Sequence, residues 1–290
     1  IIRWGDPVLR GAPEFDGSAQ TGAAQAGQFG YNCDYLNIIV TNGRGTEALL
    51  VANHEYTNEE LMFPPDLDPA EAIRIAWAAH GMSVVELERR RKRTRWTYRR
   101  GARLNRRFTL ETPFSFDGPA AGCDLLTTDE DPTGTTARGT LNNCSGGTTP
   151  WGTVLSGEEN FNQYFLAEGT PRDARYGLGP DGDHRNWRSL DPRWNATDPG
   201  YANEPNRFGW IVEIDPHDPN STPVKHTAMG RFKHEGANVA VARDGRVVAY
   251  MGDDERFEYV YRFVSRHAYR KGNSAAARRH NLRLLSEGDL

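Results

Sequence analysis

The chain has 290 residues, a mass of 32.5 kDa and a formal net charge of −4 at pH 7. The acidic balance gives no support to nucleic-acid binding, and no apolar run approaches the roughly 18 residues that span a bilayer, which argues against membrane insertion. A hydrophobic content of 37%, with 30 Gly, 17 Pro and a mean hydropathy of −0.71, indicates a loop-rich globular protein.

The start of the chain bears on its compartment. Ile1 opens the sequence without a start Met, a basic region or an apolar leader segment. This beginning predicts either that an export signal has been removed or that the sequence is a fragment. Length alone allows one large domain or two small ones.

Short β-like runs recur along the chain between turn signals and outnumber the helical segments, which predicts an all-β fold. These runs are Asp34–Val40, Glu47–Ala52, Gly152–Leu155, Gly209–Ile214, Asn238–Ala242, Arg246–Met251 and Tyr259–Val264. Asp244-Gly245 between two apolar runs predicts a two-residue hairpin turn. One helix is predicted after Asp68, which caps it, with Pro69 in its first turn and Gly81 at its end.

A basic block runs from Arg89 to Arg107, and such a block is typical of a nucleic-acid or anionic-surface patch. The flanking segments Ser83–Glu88 and Trp96–Tyr98 read instead as two strands of a hairpin. Because the whole chain is acidic, we favour a hairpin whose charges lie on a solvated turn and face.

The long loops are also informative. Residues 131–140 and 170–206 are rich in Gly, Pro, Asp, Asn and Arg, with scattered Trp. The tryptophans predict that these loops are ordered and pack against the rest of the protein.

The segment from Asn142 to Asn160 is the most distinctive part of the sequence. It places Cys144 on a Gly-rich turn, and Glu158 and Glu159 just after a short apolar strand. Gly-rich backbone can approach a bound ion closely, while a thiolate and carboxylates are metal ligands. The segment therefore predicts part of a metal site.

Acidic residues also follow apolar runs at Glu55, Glu235 and Asp254. Carboxylates from several strands suit Ca²⁺, and carboxylates with a thiolate suit a more Lewis-acidic metal such as iron. Each cluster taken singly is better explained as a solvated turn, but their recurrence favours a metal site. In the two His-Glu pairs we favour Glu55 and Glu235 as ligands, with His54 and His234 satisfied by hydrogen bonds.

Several other site types are disfavoured. No Gly-x-Ser-x-Gly elbow, His-Glu-x-x-His motif or Walker loop is present, which disfavours serine hydrolases, zincins and P-loop enzymes. The three cysteines form no CxxC motif. A Cys33–Cys123 disulfide is one alternative, but we favour both residues as small buried hydrophobic side chains.

With these segments in view, the chain resembles the PhoX family of secreted bacterial alkaline phosphatases. The matching segments occur in order along nearly the whole sequence. They are Arg3-Trp4-Gly5-Asp6-Pro7, Phe29-Gly30-Tyr31-Asn32, Asn53-His54-Glu55-Tyr56, His80-Gly81, Asn105-Arg106-Arg107, Gly118-Pro119-Ala120-Ala121-Gly122, Cys144–Asn160, His234-Glu235-Gly236-Ala237-Asn238 and Gly252-Asp253-Asp254.

The resemblance implies one all-β domain over residues 1–290, an incomplete β-propeller with long loops and a small helical insertion, lacking residues at both ends. It implies periplasmic or secreted localisation through twin-arginine export, and a monomer. It also implies a central cluster of Fe³⁺ and Ca²⁺. Cys144 is then an iron ligand, and metal-binding carboxylates are Glu159, Glu235 and Asp254, with Glu55 and Glu158 as further candidates.

The function implied is hydrolysis of small-molecule phosphate monoesters to inorganic phosphate without a protein nucleophile. No catalytic side chain is assigned, because the phosphate-binding Arg of the family pattern is expected beyond Leu290. Two alternatives stay open. One is a propeller hydrolase of phosphodiesters, phytate or a lactone, and the other is a non-catalytic, calcium-stabilised binding propeller.

Overall fold

The computed structural model describes all residues from Ile1 to Leu290 and is mostly β-sheet with a few short helices. The strands are β1 (Cys33–Val40), β2 (Glu47–His54), β3 (Gly81–Glu88), β4 (Thr97–Tyr98), β5 (Arg106–Phe108), β6 (Pro113–Asp117), β7 (Thr136–Arg138), β8 (Asn143–Thr148), β9 (Val154–Glu158), β10 (Ile211–Ile214), β11 (Val224–His226), β12 (Asn238–Val241), β13 (Arg246–Gly252), β14 (Val260–Ala268) and β15 (Gly288–Asp289). The helices are α1 (Gly22–Gln25), α2 (Glu59–Met62), α3 (Pro69–Ala79), α4 (Pro171–Ala174) and α5 (Ala275–Asn281).

Two compact units make up the chain. The first contains Ile1–Thr112, Gly139–Cys144 and Asp215–Ser221, and the second contains Pro113–Arg138, Ser145–Ile214 and Thr222–Leu290. Strand β8 contributes residues to both units. The prediction of a single domain over residues 1–290 stays a prediction.

The first unit contains a five-stranded sheet in which β1, β2, β3 and β4 are successive neighbours and β5 also pairs with β3. All of these pairs are antiparallel. Strand β2 is buried along almost its whole length, so both faces of the sheet are covered at this strand. Leu50 of β2 and Val85 of β3 pack in one apolar core with Val8 and Phe29 of the N-terminal segment.

The second unit contains two sheets. The larger has the order β7-β6-β11-β10-β9-β8, and the smaller has the order β12-β13-β14-β15. Strands β6 and β11 pair in parallel, whereas β9, β10 and β11 pair antiparallel. An apolar cluster that includes Leu155, Ile211, Val247 and Phe263 contains residues from both sheets.

The predicted helix is confirmed as α3. The Asp68 side chain accepts a hydrogen bond from the backbone N–H of Glu71 at 3.0 Å, and Pro69 occupies the first turn. Gly81, which follows the C-cap residue, has a φ of +92°, a left-handed conformation that glycine adopts without steric cost.

Both predicted hairpins are confirmed, but the turn of the second is longer than predicted. Strands β3 and β4 form the predicted antiparallel pair, with Leu87 opposite Tyr98. Between β12 and β13 the Ala242 N–H bonds to the Arg246 carbonyl at 2.8 Å, so the turn holds three residues rather than the predicted two. Gly245 takes the left-handed position of that turn, with a φ of +86°.

Arg107 differs from the solvated charge predicted for the basic block. Its side chain is buried and donates hydrogen bonds to the carbonyl oxygens of Met82, Ala78 and His80, and to the Ser83 hydroxyl. Burial lowers the pKa of Arg107 to about 9. Two of those carbonyls lie at the end of α3, so Arg107 completes the helix terminus.

The tryptophans of the long loops are buried, as predicted. Trp187 and Trp194 are at most 1% exposed, and their rings pack 4.9 Å apart. The three cysteines form no disulfide, and the prediction that Cys33 and Cys123 are buried is wrong, because Cys33 is exposed and Cys123 is half-buried. No helix reaches the length and apolarity that a membrane crossing requires.

Candidate metal centre

Cys144 lies on β8, so the prediction that it lies on a Gly-rich turn is wrong, and the residue is 7% exposed. Its carbonyl oxygen accepts a hydrogen bond from the side-chain amide of Asn53, at the end of β2. The Cys144 Sγ atom lies 3.7 Å from Oδ2 of Asp34. A buried thiol beside a carboxylate is an arrangement that suits a metal ion better than an isolated cysteine does.

The first ligand group consists of Asp34, Glu55 and Cys144. One ligand atom from each lies within 4.8 Å of the others. Cys33 is paired with His54 in the antiparallel sheet, so Asp34 and Glu55 lie on either side of that pair as diagonal neighbours. The β-bulge between Cys33 and Leu36 lies at the same place.

A second ligand group uses the same thiol. The ligand atoms of Cys144, Glu159 and Glu235 also lie within 4.8 Å of one another. Glu159 follows β9, the neighbour of β8 in the six-stranded sheet, and is only 4% exposed. Glu235 is exposed, and its backbone N–H donates to the Gly252 carbonyl at 3.2 Å.

Two glycines allow the segment that carries Glu235 to lie close to the sheet. A Cβ atom added to Gly147 on β8 would be 1.9 Å from the Ala237 carbonyl oxygen. A Cβ atom added to Gly157 on β9 would be 2.2 Å from the His234 carbonyl oxygen. No other residue fits such an approach, so these glycines help to position Glu235.

Glu158 has different surroundings from Glu159. Its carboxylate accepts from Nζ of Lys225 at 2.7 Å and from the backbone N–H groups of Gly209 and Trp210 at 3.1 and 3.2 Å. Both side chains of the ion pair are fully buried. Burial lowers the pKa of Lys225, while Glu158 opposes that shift. The structure therefore places Glu158 outside both ligand groups.

Asp254 also lies outside the two groups. It is exposed, and its backbone N–H donates to the Lys233 carbonyl at 3.0 Å. The neighbouring Asp253 has a buried side chain 3.7 Å from Arg175, and burial raises its pKa. The ligand groups thus contain Glu55 in one case and Glu159 and Glu235 in the other, and Glu158 and Asp254 belong to neither.

The two histidines of the His-Glu pairs are hydrogen bonded, as predicted. Nε2 of His54 lies 2.7 Å from the Ser83 hydroxyl and accepts from the Gly30 N–H at 3.3 Å. Nε2 of His234 donates to the Gly230 carbonyl at 3.0 Å. Burial lowers the pKa of His54 well below its usual value and that of His234 to about 3, so both rings are neutral.

Sequence reasoning missed Asp34. Asp34 is the first residue of a predicted strand, whereas the predicted ligands are acids that follow a strand. The available signal was the pairing of its strand with the one that ends in Asn53-His54-Glu55, which brings an acid at the start of one strand beside an acid at the end of the other.

Two comparisons with known proteins point to the same family. The family model described as "Alkaline phosphatase PhoX" matches residues 1–290. A solved structure, "Pseudomonas fluorescens PhoX in complex with vanadate, a transition state analogue", matches with a TM-score of 0.91 and 43% sequence identity. The match covers 99% of this chain and 50% of that one, so this chain spans about half the length of its relative. A comparison with curated proteins found no match.

Proposed function

This chain belongs to the PhoX alkaline phosphatase family, and we propose that it supplies part of the active site of a metal-dependent alkaline phosphatase. Its substrates are small phosphate monoesters, and its product is inorganic phosphate. The observation that carries this proposal is the sharing of the Cys144 thiol by two groups of carboxylates. The vanadate complex of the Pseudomonas protein supports phosphoryl-transfer chemistry, because that molecule is described there as a transition-state analogue.

The donor atoms fit iron and calcium. A thiolate with carboxylates suits Fe³⁺, and the hard oxygens of Asp34, Glu55, Glu159 and Glu235 suit Ca²⁺ as well. Such cations neutralise the charge of a phosphoryl group in its transition state and activate an oxygen nucleophile. We propose Cys144 as the iron ligand and these carboxylates as ligands to iron or calcium.

The chain's own residues set the positions of these ligands. The Asn53 amide holds the backbone of Cys144, and Gly147 and Gly157 allow close approach of the segment that carries Glu235. Lys225 neutralises Glu158, so only the following carboxylate, that of Glu159, is directed toward the thiol. Rigid placement of ligands favours the transition state because no reorganisation is needed during reaction.

Glu158 and Asp254 lie outside the two ligand groups. Either carboxylate would need a different arrangement of its surroundings to reach the two groups. For Glu158 that arrangement would leave the buried Lys225 ammonium without its anion, which is costly. Asp254 is exposed and has no such cost, so it is the stronger of the two as an additional calcium ligand.

We also propose the fold of the full-length protein, its location and its oligomeric state. The blades of a β-propeller are four-stranded sheets, as the β12–β15 sheet is, and we propose that the full-length protein closes its sheets into a propeller. Family membership supports export through the twin-arginine route to the periplasm or the medium. We propose that the protein acts there as a monomer on soluble phosphate esters.

The test replaces the shared thiol in the full-length protein. For Cys144→Ala we expect loss of bound iron and a fall in phosphatase turnover of at least about 100-fold, as a missing electrostatic contributor at an active site typically causes. Cys123→Ala is the matched control, because Cys123 is a free cysteine outside both ligand groups. Normal iron content and turnover in Cys144→Ala would contradict the proposal. Turnover of a phosphate monoester, measured beside turnover of a phosphodiester, distinguishes the proposed phosphatase from a phosphodiesterase.

A further inference from the structure

A second candidate site lies at the other end of the sequence, in a cleft of about 650 Å³ between the end of β14 and α5 with the turn that follows it. Its charged lining residues include Arg270, Arg279 and Arg283, and two histidines, His267 and His280, also line it. None of these residues belongs to the two ligand groups around Cys144. The cleft has the size of a small-molecule site.

The two walls of the cleft are tied together. Nε2 of His280 on α5 donates to the Ala268 carbonyl at the end of β14, at 2.8 Å. The Asn281 side chain accepts from the Arg270 N–H at 3.0 Å and donates to the Arg270 carbonyl at 2.9 Å. Asn281 is 1% exposed, so these bonds are shielded from water. The cleft is therefore a preformed feature of the fold.

The charges in the cleft are unbalanced. The guanidinium groups of Arg270, Arg279 and Arg283 have no hydrogen-bond or ion-pair partner in the structure. The acid that lines the cleft, Glu287, pairs with Arg266 at 3.2 Å. Arg279 lies on α5, Arg283 lies in the turn after it and Arg270 follows β14, so three like charges line one cleft and repel each other. An anion between the walls would relieve this repulsion.

We propose that this cleft binds a diphosphate unit, either free or carried on a larger molecule. The planar fork of each arginine matches two oxygens of a phosphate group, which a lysine does not. One phosphate group carries up to about two charges, fewer than the three guanidinium groups present. Two linked phosphate groups match the charge of the three guanidinium groups, and a cleft of about 650 Å³ also has room for a larger molecule that carries them.

Diphosphate binding in the cleft is independent of the proposed phosphatase activity. A phosphatase also binds phosphate compounds at its metal centre, so total binding to the protein does not distinguish the two sites. The two histidines of the cleft solve this difficulty, because their ring resonances report on the cleft alone.

The experiment is a histidine NMR titration of the full-length protein. The protein carries ¹³C at the ring Cε1 positions, and His267→Gln and His280→Gln assign the two cleft resonances. The probe is methylenediphosphonate, which phosphatases do not hydrolyse, at excess calcium so that the probe does not strip the metal centre. We expect saturable shifts of both resonances, and binding of inorganic phosphate at least about tenfold weaker.

Charge removal tests the assignment of the arginines. In Arg279→Gln/Arg283→Gln we expect the affinity measured at His267 to fall by at least about tenfold, because two charge-assisted contacts are lost. The matched control is Arg90→Gln/Arg95→Gln, which removes the same charge from a second cationic cleft on the β3–β4 hairpin. This control should leave the affinity unchanged.

Each possible result of these titrations leads to a different conclusion. Absence of saturable shifts at His267 and His280, or equal weakening in both double variants, would overturn the proposal. A parallel titration with adenosine 5′-(α,β-methylene)diphosphate identifies the source of the ligand. Tighter binding of this nucleotide indicates that the unit is carried on a nucleotide, and tighter binding of methylenediphosphonate indicates a free diphosphate. Phosphatase turnover, measured separately, tests the function of the metal centre.

Discussion

Glu158 and Glu159 show at the level of single residues how position determines chemistry. They are adjacent and chemically identical, yet one is paired with a buried lysine and the other lies near a thiol. A sequence pattern of two consecutive glutamates cannot assign these roles, because the assignment depends on Lys225, which is 67 positions away from Glu158 in the chain. It is the tertiary ion pair that separates them.

The first prediction concerns this pair. Lys225→Met should lower the free energy of unfolding by about 3–5 kcal/mol, since it leaves the Glu158 carboxylate buried without its cation. Lys225→Met/Glu158→Gln should recover a large part of that loss. Urea unfolding of the two single variants and the double variant measures the coupling, and strictly additive losses would show that the pair is unimportant.

The second prediction concerns His226, a buried residue held between two carboxylates. Its Nδ1 lies 2.9 Å from Asp117 and its Nε2 lies 2.8 Å from Glu213. Burial alone would lower the pKa of His226, but the two carboxylates outweigh it and raise the pKa to about 10. Because the folded value lies above the unfolded value of 6.5, the charged ring stabilises the fold fully below pH 6.5. This contribution is lost as the pH rises through about 10.

The measurement compares the wild-type protein with His226→Gln. The wild-type protein should be more stable by on the order of a few kcal/mol at pH values below 6.5, and the difference should shrink as the pH approaches 10. His184→Gln, at an exposed position, is the control. A stability difference that does not change with pH would show that His226 stays uncharged in the fold.

At the level of elements, the glycines of β8 and β9 connect secondary structure to the site. The third prediction is that Gly147→Ala displaces the segment that carries Glu235, because the new methyl group would overlap the Ala237 carbonyl. We expect a destabilisation on the order of 2 kcal/mol, together with lower metal content and turnover in the full-length protein.

Gly179→Ala is the matched control for this change, since a Cβ atom there meets nothing within 4 Å. The two variants should differ in metal content, measured by elemental analysis. Equal metal content would show that the close approach at Gly147 does not position the ligand.

Several elements and two local hairpins were predictable from the sequence, and the long-range strand pairing was not. Alternation and turn residues located β1, β13 and α3 to within a few positions, because these signals are local. The parallel pairing of β6 with β11 joins segments about a hundred residues apart and has no local signal. The three-residue turn at Gly245 differs from the prediction because Ala242 pairs with Arg246 rather than leaving Asp244-Gly245 alone between the strands.

The candidate site was partly predictable for the same reason. Cys144, Glu55, Glu159 and Glu235 stand in local motifs, whereas Asp34 depends on the register of β1 with β2. The buried Arg107 is another residue whose role comes from the tertiary fold. Within a run of basic residues nothing local distinguishes it, and its burial follows from the carbonyl oxygens at the end of α3.

At the scale of the whole molecule, the concentration of negative charge at the site is a cost to folding in the absence of cations. The fourth prediction is that calcium raises the melting temperature of the full-length protein, because an ion that binds only the folded state stabilises it. At a calcium concentration about 100 times the dissociation constant, the gain is about 2.7 kcal/mol.

Asp34→Asn and Glu235→Gln should each reduce this gain, since both side chains belong to the ligand groups. Asp66→Asn is the control, at an exposed position outside both groups. Thermal unfolding across a calcium titration makes the comparison. A gain of the same size in all three variants would place the stabilising ion elsewhere.

The single sulfur atom common to both ligand groups has a consequence for metal loading. An ion on the Cys144 sulfur and an ion on the carboxylates of either group would lie close together, so occupation of one position would change the affinity of the other. Thermodynamic reciprocity requires that the second ion change the affinity for the first by the same factor. Loading of the centre is therefore expected to be cooperative or antagonistic, and the order in which iron and calcium are supplied would govern how fast, though not how completely, the centre is assembled.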